Sequence, residues 1–201
     1  MILIGYSGHG YVAYGILQLT GKVVTGYCDK EEKTYNPFKL EYKGRENSPG
    51  AYDLFREQGF FISVGDNNIR ANIFQTLAEQ DLYPANAIHP FAIIDATAVI
   101  ASKGVLIAGN ATINPLSRIG KGVICNTGSI IEHECIVGDF AHLAPGVVLC
   151  GNVKVGNKSF IGANAVIRQG ITIGNNAIIG AGAVVVRDVS DNSKVMGVPA
   201  R

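Results

Sequence analysis

The sequence predicts two parts, an α/β unit followed by a parallel β-helix. The β-helix is predicted by a period of six, because every sixth residue from Ile113 to Val185 is apolar, thirteen residues with one cysteine among them. This period fits neither the alternation of a lone strand nor the 3.6-residue repeat of a helix, and it is typical of a solenoid whose six-residue units each form one strand and one turn. The α/β unit is predicted by a strand, a glycine-rich loop, a helix and a second strand within residues 1–28.

The first 29 residues follow the order of a nucleotide-binding α/β unit. Residues 1–5 predict a strand and residues 5–10 a glycine-rich loop; residues 11–19 predict a helix and residues 23–28 a second strand, followed by Asp29. In such units glycines let backbone N–H groups approach a phosphate at a helix N-terminus, and the acid hydrogen-bonds the sugar or base. The loop is GxxGxG rather than GxGxxG. A tight turn explains it as well as nucleotide binding does.

The remainder of the α/β unit alternates in the same way. Residues 30–47 are polar and irregular and predict a loop. Ser48-Pro49 predicts the start of a helix that ends near residue 58, because proline is favoured in a first helical turn. Residues 60–64 predict a buried strand, and Gly65-Asp66-Asn67 predicts a turn and cap before a helix over residues 68–80.

The boundary between the two parts is predicted near His89-Pro90, after a last short strand at residues 85–88. Residues 1–84 then form an α/β domain with four parallel strands, and residues 85–201 form the β-helix. The six-residue register begins at Ile94, Ile100 and Leu106, and one extra residue shifts it before Ile113.

Three six-residue units are expected to close one triangular coil. Glycines recur every eighteen residues, which predicts that they stack on one corner, at Gly120, Gly138, Gly156 and Gly174. Glycine fits there either a turn with positive φ or a close approach of two backbones. The fifth position of each unit is small or apolar throughout, as expected for a tightly packed interior.

Composition excludes several classes of partner. Lys plus Arg is 17 and Asp plus Glu is 16, so the net charge of +1 gives no reason to expect nucleic acid or an anionic membrane as a partner. The sequence has no run of eighteen apolar residues, so no membrane span is predicted, and residues 1–6 do not resemble a signal peptide. The four cysteines show no CxxC spacing, which predicts reduced thiols in a cytoplasmic protein rather than disulfides or zinc ligands.

Two histidines of the repeat are candidates for chemistry. His133 occupies an outward position, where a solvated side chain needs no explanation, but the adjacent Glu134 can hold one ring nitrogen and raise the basicity of the other. His142 lies nine residues later, on a different edge of the prism, so the two histidines need not meet within one chain but could meet across a subunit interface. Zinc requires three or four convergent ligands, and no short spacing links His89 to the other two; no metal is expected.

Four segments together resemble a known family. They are IGYSGHG at residues 4–10, SVGDN at residues 63–67, NTGSIIEHEC at residues 126–135 and GVPA at residues 197–200. The chain resembles, over essentially its whole length, the sialic acid O-acetyltransferase family of hexapeptide acyltransferases. Within it the chain is most similar to enzymes that acetylate the 4-amino group of UDP-2-acetamido-4-amino-2,4,6-trideoxyhexose, as in bacillosamine synthesis. The resemblance implies a Rossmann-like N-terminal unit and a left-handed β-helix.

The resemblance also implies catalytic roles. His133 would be the general base, with Glu134 raising its basicity, and Asn126 would orient groups at the same site. The backbone N–H of Gly151 would donate to the thioester oxygen, and His142 would contact the acetyl end of the co-substrate acetyl-CoA. Transfer would be direct, without an acyl-enzyme, and we interpret Cys135 as a packing residue.

Binding roles and assembly follow from the same resemblance. Main-chain contacts to CoA are implied at Gly151, Ala163 and Ala181, and nucleotide-sugar contacts are implied at Ser7, Gly8, His9, Asp29 and Gly65. A homotrimer is implied, with active sites at the subunit interfaces. The UDP-sugar enzymes that the chain resembles carry two adjacent acids after the second strand, whereas this chain has Cys28-Asp29-Lys30. The nucleotide is therefore left open, and GDP-perosamine N-acetylation, sialic acid O-acetylation and a non-catalytic nucleotide-sugar-binding trimer are the alternatives.

Overall fold

The structure is a computed structural model that describes residues 1–201. Its N-terminal part is a four-stranded parallel sheet in the order β3-β2-β1-β4, flanked by three helices. The strands are β1 (Ile2–Ile4), β2 (Gly26–Cys28), β3 (Glu41–Tyr42) and β4 (Phe60–Ile62). The helices are α1 (Gly8–Leu19), α2 (Ala51–Gln58) and α3 (Asn67–Ala78). Helix α1 packs on one face of the sheet, and α2 and α3 pack on the other.

The fourth strand of this sheet differs from the prediction. The predicted strand at residues 85–88 becomes β5 (Ala87–Ile88), which pairs within the β-helix, whereas β3 lies inside the segment that was predicted to be a loop. Contacts of aromatic side chains explain why that segment is held in a fixed position. Phe38 stacks on Tyr14 with ring centroids 4.0 Å apart, and the Tyr6 hydroxyl donates to the Asn36 side chain at 2.9 Å. These contacts hold residues 30–40 against α1 and allow β3 to pair with β2.

The helix boundaries follow local chemistry. The Asp66 carboxylate accepts hydrogen bonds from the backbone N–H groups of Asn68 and Ile69 at 2.9 Å, so the predicted cap of α3 is confirmed. Helix α2 begins two residues after the predicted Ser48-Pro49, because Gly50 adopts a left-handed φ of 79° and serves as its N-cap.

The C-terminal part is a parallel β-helix whose two-residue strands form three faces. The first face contains β5 (Ala87–Ile88), β8 (Leu106–Ile107), β11 (Ile124–Cys125), β14 (His142–Leu143), β17 (Phe160–Ile161), β20 (Ile178–Ile179) and β22 (Lys194–Val195). The second contains β6 (Ile93–Ile94), β9 (Thr112–Ile113), β12 (Ile130–Ile131), β15 (Val148–Leu149), β18 (Val166–Ile167) and β21 (Val184–Val185). The third contains β7 (Val99–Ile100), β10 (Arg118–Ile119), β13 (Ile136–Val137), β16 (Lys154–Val155) and β19 (Thr172–Ile173).

Three corners join these faces. The first corner joins the first face to the second, and in the middle coil it comprises residues 126–129. The second corner joins the second face to the third, at residues 132–135, and the third corner returns to the first face at residues 138–141. Because the prism is triangular, the second corner lies opposite the first face.

The six-residue period determines the interior. All thirteen residues of the predicted ladder are at most 3% exposed, so the prediction of an inward-facing apolar column is confirmed. Ile94 and Ile100 pair in register with Ile113 and Ile119 as predicted, but the position given to Leu106 was wrong by one residue, because the inward residue of β8 is Ile107. Leu106 faces outward instead and is buried against the α/β part, so the extra residue lies before it.

The glycine column on the third corner exists because two backbones approach closely. None of its four glycines has positive φ, whereas a Cβ added to Gly156 would lie 2.5 Å from the backbone of Gly174 in the next coil. Gly120, Gly138 and Gly174 show the same crowding. The positive φ values of this corner occur two residues later, at Gly122, Phe140, Lys158 and Asn176.

The two parts share an apolar interface. Leu106, Ala108 and Ile124 on the first face are buried with residues of α1, and Phe140 on the third corner packs edge-to-face against Phe74 of α3. This packing places the carboxyl ends of the sheet strands beside His142. None of the three helices is long and apolar enough to cross a membrane.

Candidate active site

The second corner carries an exposed histidine–carboxylate pair. Nδ1 of His133 lies 3.1 Å from Oε2 of Glu134, and about half of each side chain is exposed to solvent. Glu134 has a φ of 60°, which turns the chain sharply and brings its carboxylate back to the neighbouring ring. A carboxylate at one ring nitrogen favours the tautomer in which the other nitrogen, Nε2, accepts a proton. The pair predicted from adjacent positions in the sequence therefore has the geometry of a general base.

Gly151 lies directly under the His133 ring. A Cβ added to Gly151 would lie 2.5 Å from both Cε1 and Nε2 of His133, so only glycine leaves room for the imidazole. The Gly151 N–H donates to no other group of the chain. A free backbone donor beside a basic nitrogen is the arrangement that an oxyanion site requires. The structure thus brings together His133, Glu134 and Gly151.

A second pair, His9 and His142, lies where the α/β part meets the first face; His142 is buried and His9 is partly buried. The ring centroids of His9 and His142 are 6.1 Å apart. Nδ1 of His142 lies 3.3 Å from the Gly65 carbonyl oxygen, and its Nε2 lies 3.4 Å from Nδ2 of Asn126. One tautomer satisfies both contacts, with Nδ1–H donating to Gly65 and Nε2 accepting from Asn126. Asn126, His142, His9 and Gly65 therefore form one cluster, distinct from the pair on the second corner.

Burial keeps this second pair uncharged. It lowers the pKa of His9 to about 4 and the pKa of His142 to about 4, and the nearby Arg70 cation contributes to both shifts. Nε2 of His9 is buried without a hydrogen-bond partner. Near neutral pH both rings are therefore neutral, and they offer hydrogen bonds rather than positive charge.

Arg70 joins the two parts, and the sequence analysis did not identify it. Its side chain is 1% exposed and belongs to α3. The guanidinium donates to oxygen atoms of both parts, at 2.7 to 3.0 Å, on Val64, Gly65, Asn67, Gly122 and Phe140. These contacts fix the loop that carries Gly65 against the third corner. No local signal marks this arginine, because its partners come from segments distant in the sequence.

A cavity of about 370 Å³ opens at the carboxyl ends of β1, β2 and β4. Three of the predicted substrate-binding residues line it: Ser7, Asp29 and Gly65. Gly8 and His9, in the first turn of α1, do not line it, and the ring of His9 lies near His142 instead. Polar residues that the sequence analysis did not select complete the lining: Lys30, Lys33, Glu46, Ser63 and Asp66.

Asp29 is already held within the chain. Its carboxylate accepts hydrogen bonds from the Tyr6 N–H at 2.9 Å and the Lys30 N–H at 2.7 Å, and Nζ of Lys33 lies 3.1 Å away. These contacts tie the glycine-rich loop to the end of β2. Asp29 therefore shapes the cavity as well as lining it.

Two of the predicted CoA contacts, Ala163 and Ala181, lie on the first corner. Ala163 and Ala181 stack there in successive coils, and the Gly182 N–H donates to the Ala163 carbonyl at 2.8 Å. His133 and Gly151 lie on the second corner, across the second face. A single chain therefore does not bring all the predicted site residues to one point.

The structure contains neither a disulfide nor a cluster of metal-binding side chains. All four cysteines are free, and burial raises the pKa of the Cys135 thiol to about 11, which agrees with a packing role. No group of three or more His, Cys, Asp or Glu side chains lies close enough together to hold a metal ion.

Comparisons with known proteins assign the two parts. Residues 1–77 match the PglD N-terminal domain, and residues 152–187 match the bacterial transferase hexapeptide repeat. A curated GDP-perosamine N-acetyltransferase of Escherichia coli O157:H7 is 33% identical over 102 residues, which are 51% of this chain. That alignment spans 46% of the length of the Escherichia coli protein.

Solved structures are similar over the whole chain. PerB from Caulobacter crescentus, in complex with CoA and GDP-perosamine, is 34% identical with a TM-score of 0.91, and the match covers 100% of this chain and 95% of that one. The acetyltransferase domain of PglB from Neisseria gonorrhoeae, in complex with acetyl coenzyme A, is 29% identical with a TM-score of 0.89 and coverages of 100% and 97%. WeeI from Acinetobacter baumannii, at 23% identity and a TM-score of 0.87, shares the fold.

These matches confirm the predicted fold class, a Rossmann-like α/β unit followed by a left-handed β-helix. They also confirm the predicted relationship to the hexapeptide acyltransferases. The chain belongs to the hexapeptide-repeat family of acetyl-CoA-dependent sugar N-acetyltransferases.

Proposed function

We propose that this protein transfers the acetyl group of acetyl-CoA to the 4-amino group of a nucleotide-linked amino sugar. The observation that carries the proposal is the His133–Glu134 pair above the free N–H of Gly151, in a chain that matches PerB along its whole length. A general base and an oxyanion donor side by side are what aminolysis of a thioester needs.

The relatives favour a GDP-linked substrate. GDP-perosamine is named for the Escherichia coli relative and is bound in the Caulobacter crescentus structure. The UDP-linked 2-acetamido-4-amino-2,4,6-trideoxyhexose implied by the sequence resemblance is the second candidate. It differs from the first in both the base and the sugar, so one assay separates them.

The reaction would proceed by direct transfer. A sugar ammonium ion cannot attack, so the nucleophile would be the neutral amine, and Nε2 of His133 would accept one proton from it as its nitrogen bonds to the thioester carbon. The Gly151 N–H would donate to the oxygen that becomes negative, and collapse of the intermediate would break the carbon–sulfur bond. The CoA thiolate would then take the proton from His133. Glu134 would stabilise the imidazolium that exists between these two steps.

The α/β part would position the substrate. Ser7 makes no side-chain cap on α1, and the N–H groups of Gly8, His9 and Gly10 donate to no other group, so they are available to a diphosphate. Holding the nucleotide in the cavity places the amine near the acyl carbon, which lowers the entropic part of the barrier by several kcal/mol.

A homotrimer would complete the site. The nucleotide cavity and the His9–His142 cluster adjoin the first face, whereas His133 and Gly151 lie on the second corner, opposite that face. The second corner of one subunit and the first face of its neighbour would therefore form one active site. His142 and Asn126 would come from one subunit and the general base from the other.

Thiol release from acetyl-CoA tests the function. The purified protein is offered the GDP-linked 4-amino sugar, the UDP-linked amino sugar and sialic acid in separate reactions. We expect release with the GDP-linked amine and an acetamide product by mass spectrometry. Release with the UDP-linked sugar alone would overturn the choice of nucleotide, and an ester of sialic acid would overturn N-acetylation. Nucleotide-sugar binding without release or acetyl-CoA affinity would identify a binding module.

Mixing two inactive variants tests the shared site. The variants His133→Ala and His142→Ala are unfolded together and refolded as mixed trimers. If each site takes its histidines from two subunits, random mixing restores about a quarter of the sites, and activity returns in proportion. If both histidines act from one chain, mixing restores nothing.

A further inference from the structure

One carboxylate in the nucleotide cavity has no partner within the chain. The side chain of Glu46 follows β3, lines the cavity and makes neither a hydrogen bond nor an ion pair. Asp29, in the same cavity, already accepts from Tyr6, Lys30 and Lys33. Glu46 is therefore the acid whose two oxygens are available to a ligand.

Apolar side chains lie on the other side of Glu46. Ile69 and Ile73, one turn apart on α3, line the main cavity together with Glu46. The same three residues line a second cavity of about 280 Å³ that also contains Tyr52. The two cavities thus share a wall, and a flat ring that lay against Ile69 and Ile73 would present its edge to the carboxylate.

The position of Glu46 relative to β2 also supports a base site beside it. Burial raises the pKa of the Cys28 thiol to about 12, and the negative charge of Glu46 adds to the shift. Cys28 ends β2, so the Glu46 carboxylate lies at the end of that strand. In this kind of α/β unit the ribose of a nucleotide binds at that strand end, so the base, which is attached to the ribose, lies nearby.

The nucleobases differ in what they offer to a carboxylate. Guanine presents two adjacent donors, N1–H and the 2-amino group, which match two carboxylate oxygens in a bidentate pair. Uracil presents one N–H between two carbonyl oxygens, which a carboxylate repels. Adenine presents an acceptor at N1 beside its amino group. A free carboxylate at the edge of a base site therefore selects guanine.

We propose that Glu46 is the specificity-determining residue of this enzyme, and that its carboxylate accepts N1–H and the 2-amino group of a guanine lying on Ile69 and Ile73. This inference rests on the proposed function, in which the substrate is nucleotide-linked. It names the base that the protein selects and the residue that selects it.

Calorimetric titration with GDP, IDP and UDP tests the proposal without any acetyl transfer. IDP keeps N1–H and lacks the 2-amino group, so it removes one of the two hydrogen bonds. We expect the native protein to bind GDP about ten- to a hundred-fold more tightly than UDP, with IDP between them, as for other bidentate base contacts. Glu46→Gln should weaken GDP binding about tenfold or more and leave UDP binding unchanged, because the amide retains only one acceptor oxygen.

Glu31→Gln is the matched control. Glu31 lies in the same part of the chain, is exposed and lines none of the cavities, so the variant should bind all three nucleotides as the native protein does. Thermal melting of the two variants checks that both are folded. Equal binding of GDP and UDP by the native protein, or an unchanged GDP preference in folded Glu46→Gln, would overturn the proposal.

The outcome is independent of the acetyltransferase assay. If Glu46→Gln loses the preference for GDP but no amino sugar supports thiol release, guanine recognition stands and the proposed reaction fails. If thiol release with the GDP-linked sugar is normal and Glu46→Gln keeps its KM, the reaction stands and Glu46 does not read the base.

Discussion

His133 and His142 lie nine residues apart in one repeat, yet their environments differ in exposure and in hydrogen bonding. His133 is on a corner, half exposed, and paired with the Glu134 carboxylate. His142 is buried on a face beneath the α/β part, next to Arg70, and its nitrogens lie near a carbonyl and an amide. The first is open to solvent and faces a carboxylate, whereas burial holds the second neutral. The same side chain is therefore suited to acid–base work in one place and to positioning in the other.

The largest expected effect comes from removing His133, the proposed general base. His133→Ala should lower kcat by about two to four orders of magnitude if His133 takes the amine proton. The melting temperature should change little, because the side chain is half exposed and outside the core. Steady-state thiol release and thermal melting measure the two quantities. Near-normal turnover by the folded variant would remove the base assignment and the contrast between the two histidines.

Displacing the His133 ring should have the next largest effect on kcat. Gly151→Ala places a methyl group where the His133 ring lies, so the ring must move, and kcat should fall about a hundredfold, as for ångström-scale misplacement of a catalytic group. Gly15→Ala is the control, since a Cβ there meets nothing within 4 Å and alanine is favoured inside a helix. A Gly151→Ala enzyme as active as Gly15→Ala would show that the ring position is unimportant.

The low pKa of His142 should make the free energy of unfolding depend on pH. The pKa of His142 is about 4 in the folded protein, whereas an unfolded histidine titrates near 6.5. As the pH falls from 6.5 to 4, the unfolded state binds protons first, so the folded protein loses stability over that window and gains none above it. The loss is up to about 3 kcal/mol for one histidine.

Denaturant unfolding at several pH values measures this slope. His142→Gln, which keeps a hydrogen-bonding side chain without titrating, should be less sensitive to acid than the native protein. Equal slopes for native and His142→Gln proteins would contradict the neutral buried state.

The smallest expected effect concerns the partner of the exposed base. Glu134→Gln retains a hydrogen bond to Nδ1 of His133 but removes the negative charge that stabilises an imidazolium. We expect kcat to fall about tenfold, within the range of a charge-assisted hydrogen bond in a solvent-exposed pair. Loss of the charge also destabilises the imidazolium, so the acid limb of the pH profile of kcat should move to lower pH; steady-state thiol release at several pH values measures both changes. A profile identical to that of the native enzyme would mean that Glu134 only shapes the corner.

Much of this architecture was predictable because it is periodic or local. The inward ladder repeats every six residues, and Asp66 caps the helix that begins directly after it. The His133–Glu134 pair was also predictable, since the two residues are adjacent. The roles of Asn126 and His142 came from resemblance, and the structure adds that these two side chains contact each other.

Repeats and neighbouring residues encode the two-part fold, the solenoid interior and the histidine–carboxylate pair, so these features can be predicted without a structure. Three features emerge only when the chain folds: Arg70 joins the two parts, His9 and His142 share one site, and Glu46 rather than Asp29 is the unpartnered acid of the cavity. These features depend on contacts between segments far apart in the chain. Burial and hydrogen-bond partners arise only when the segments pack, and they set the charge and availability of each group.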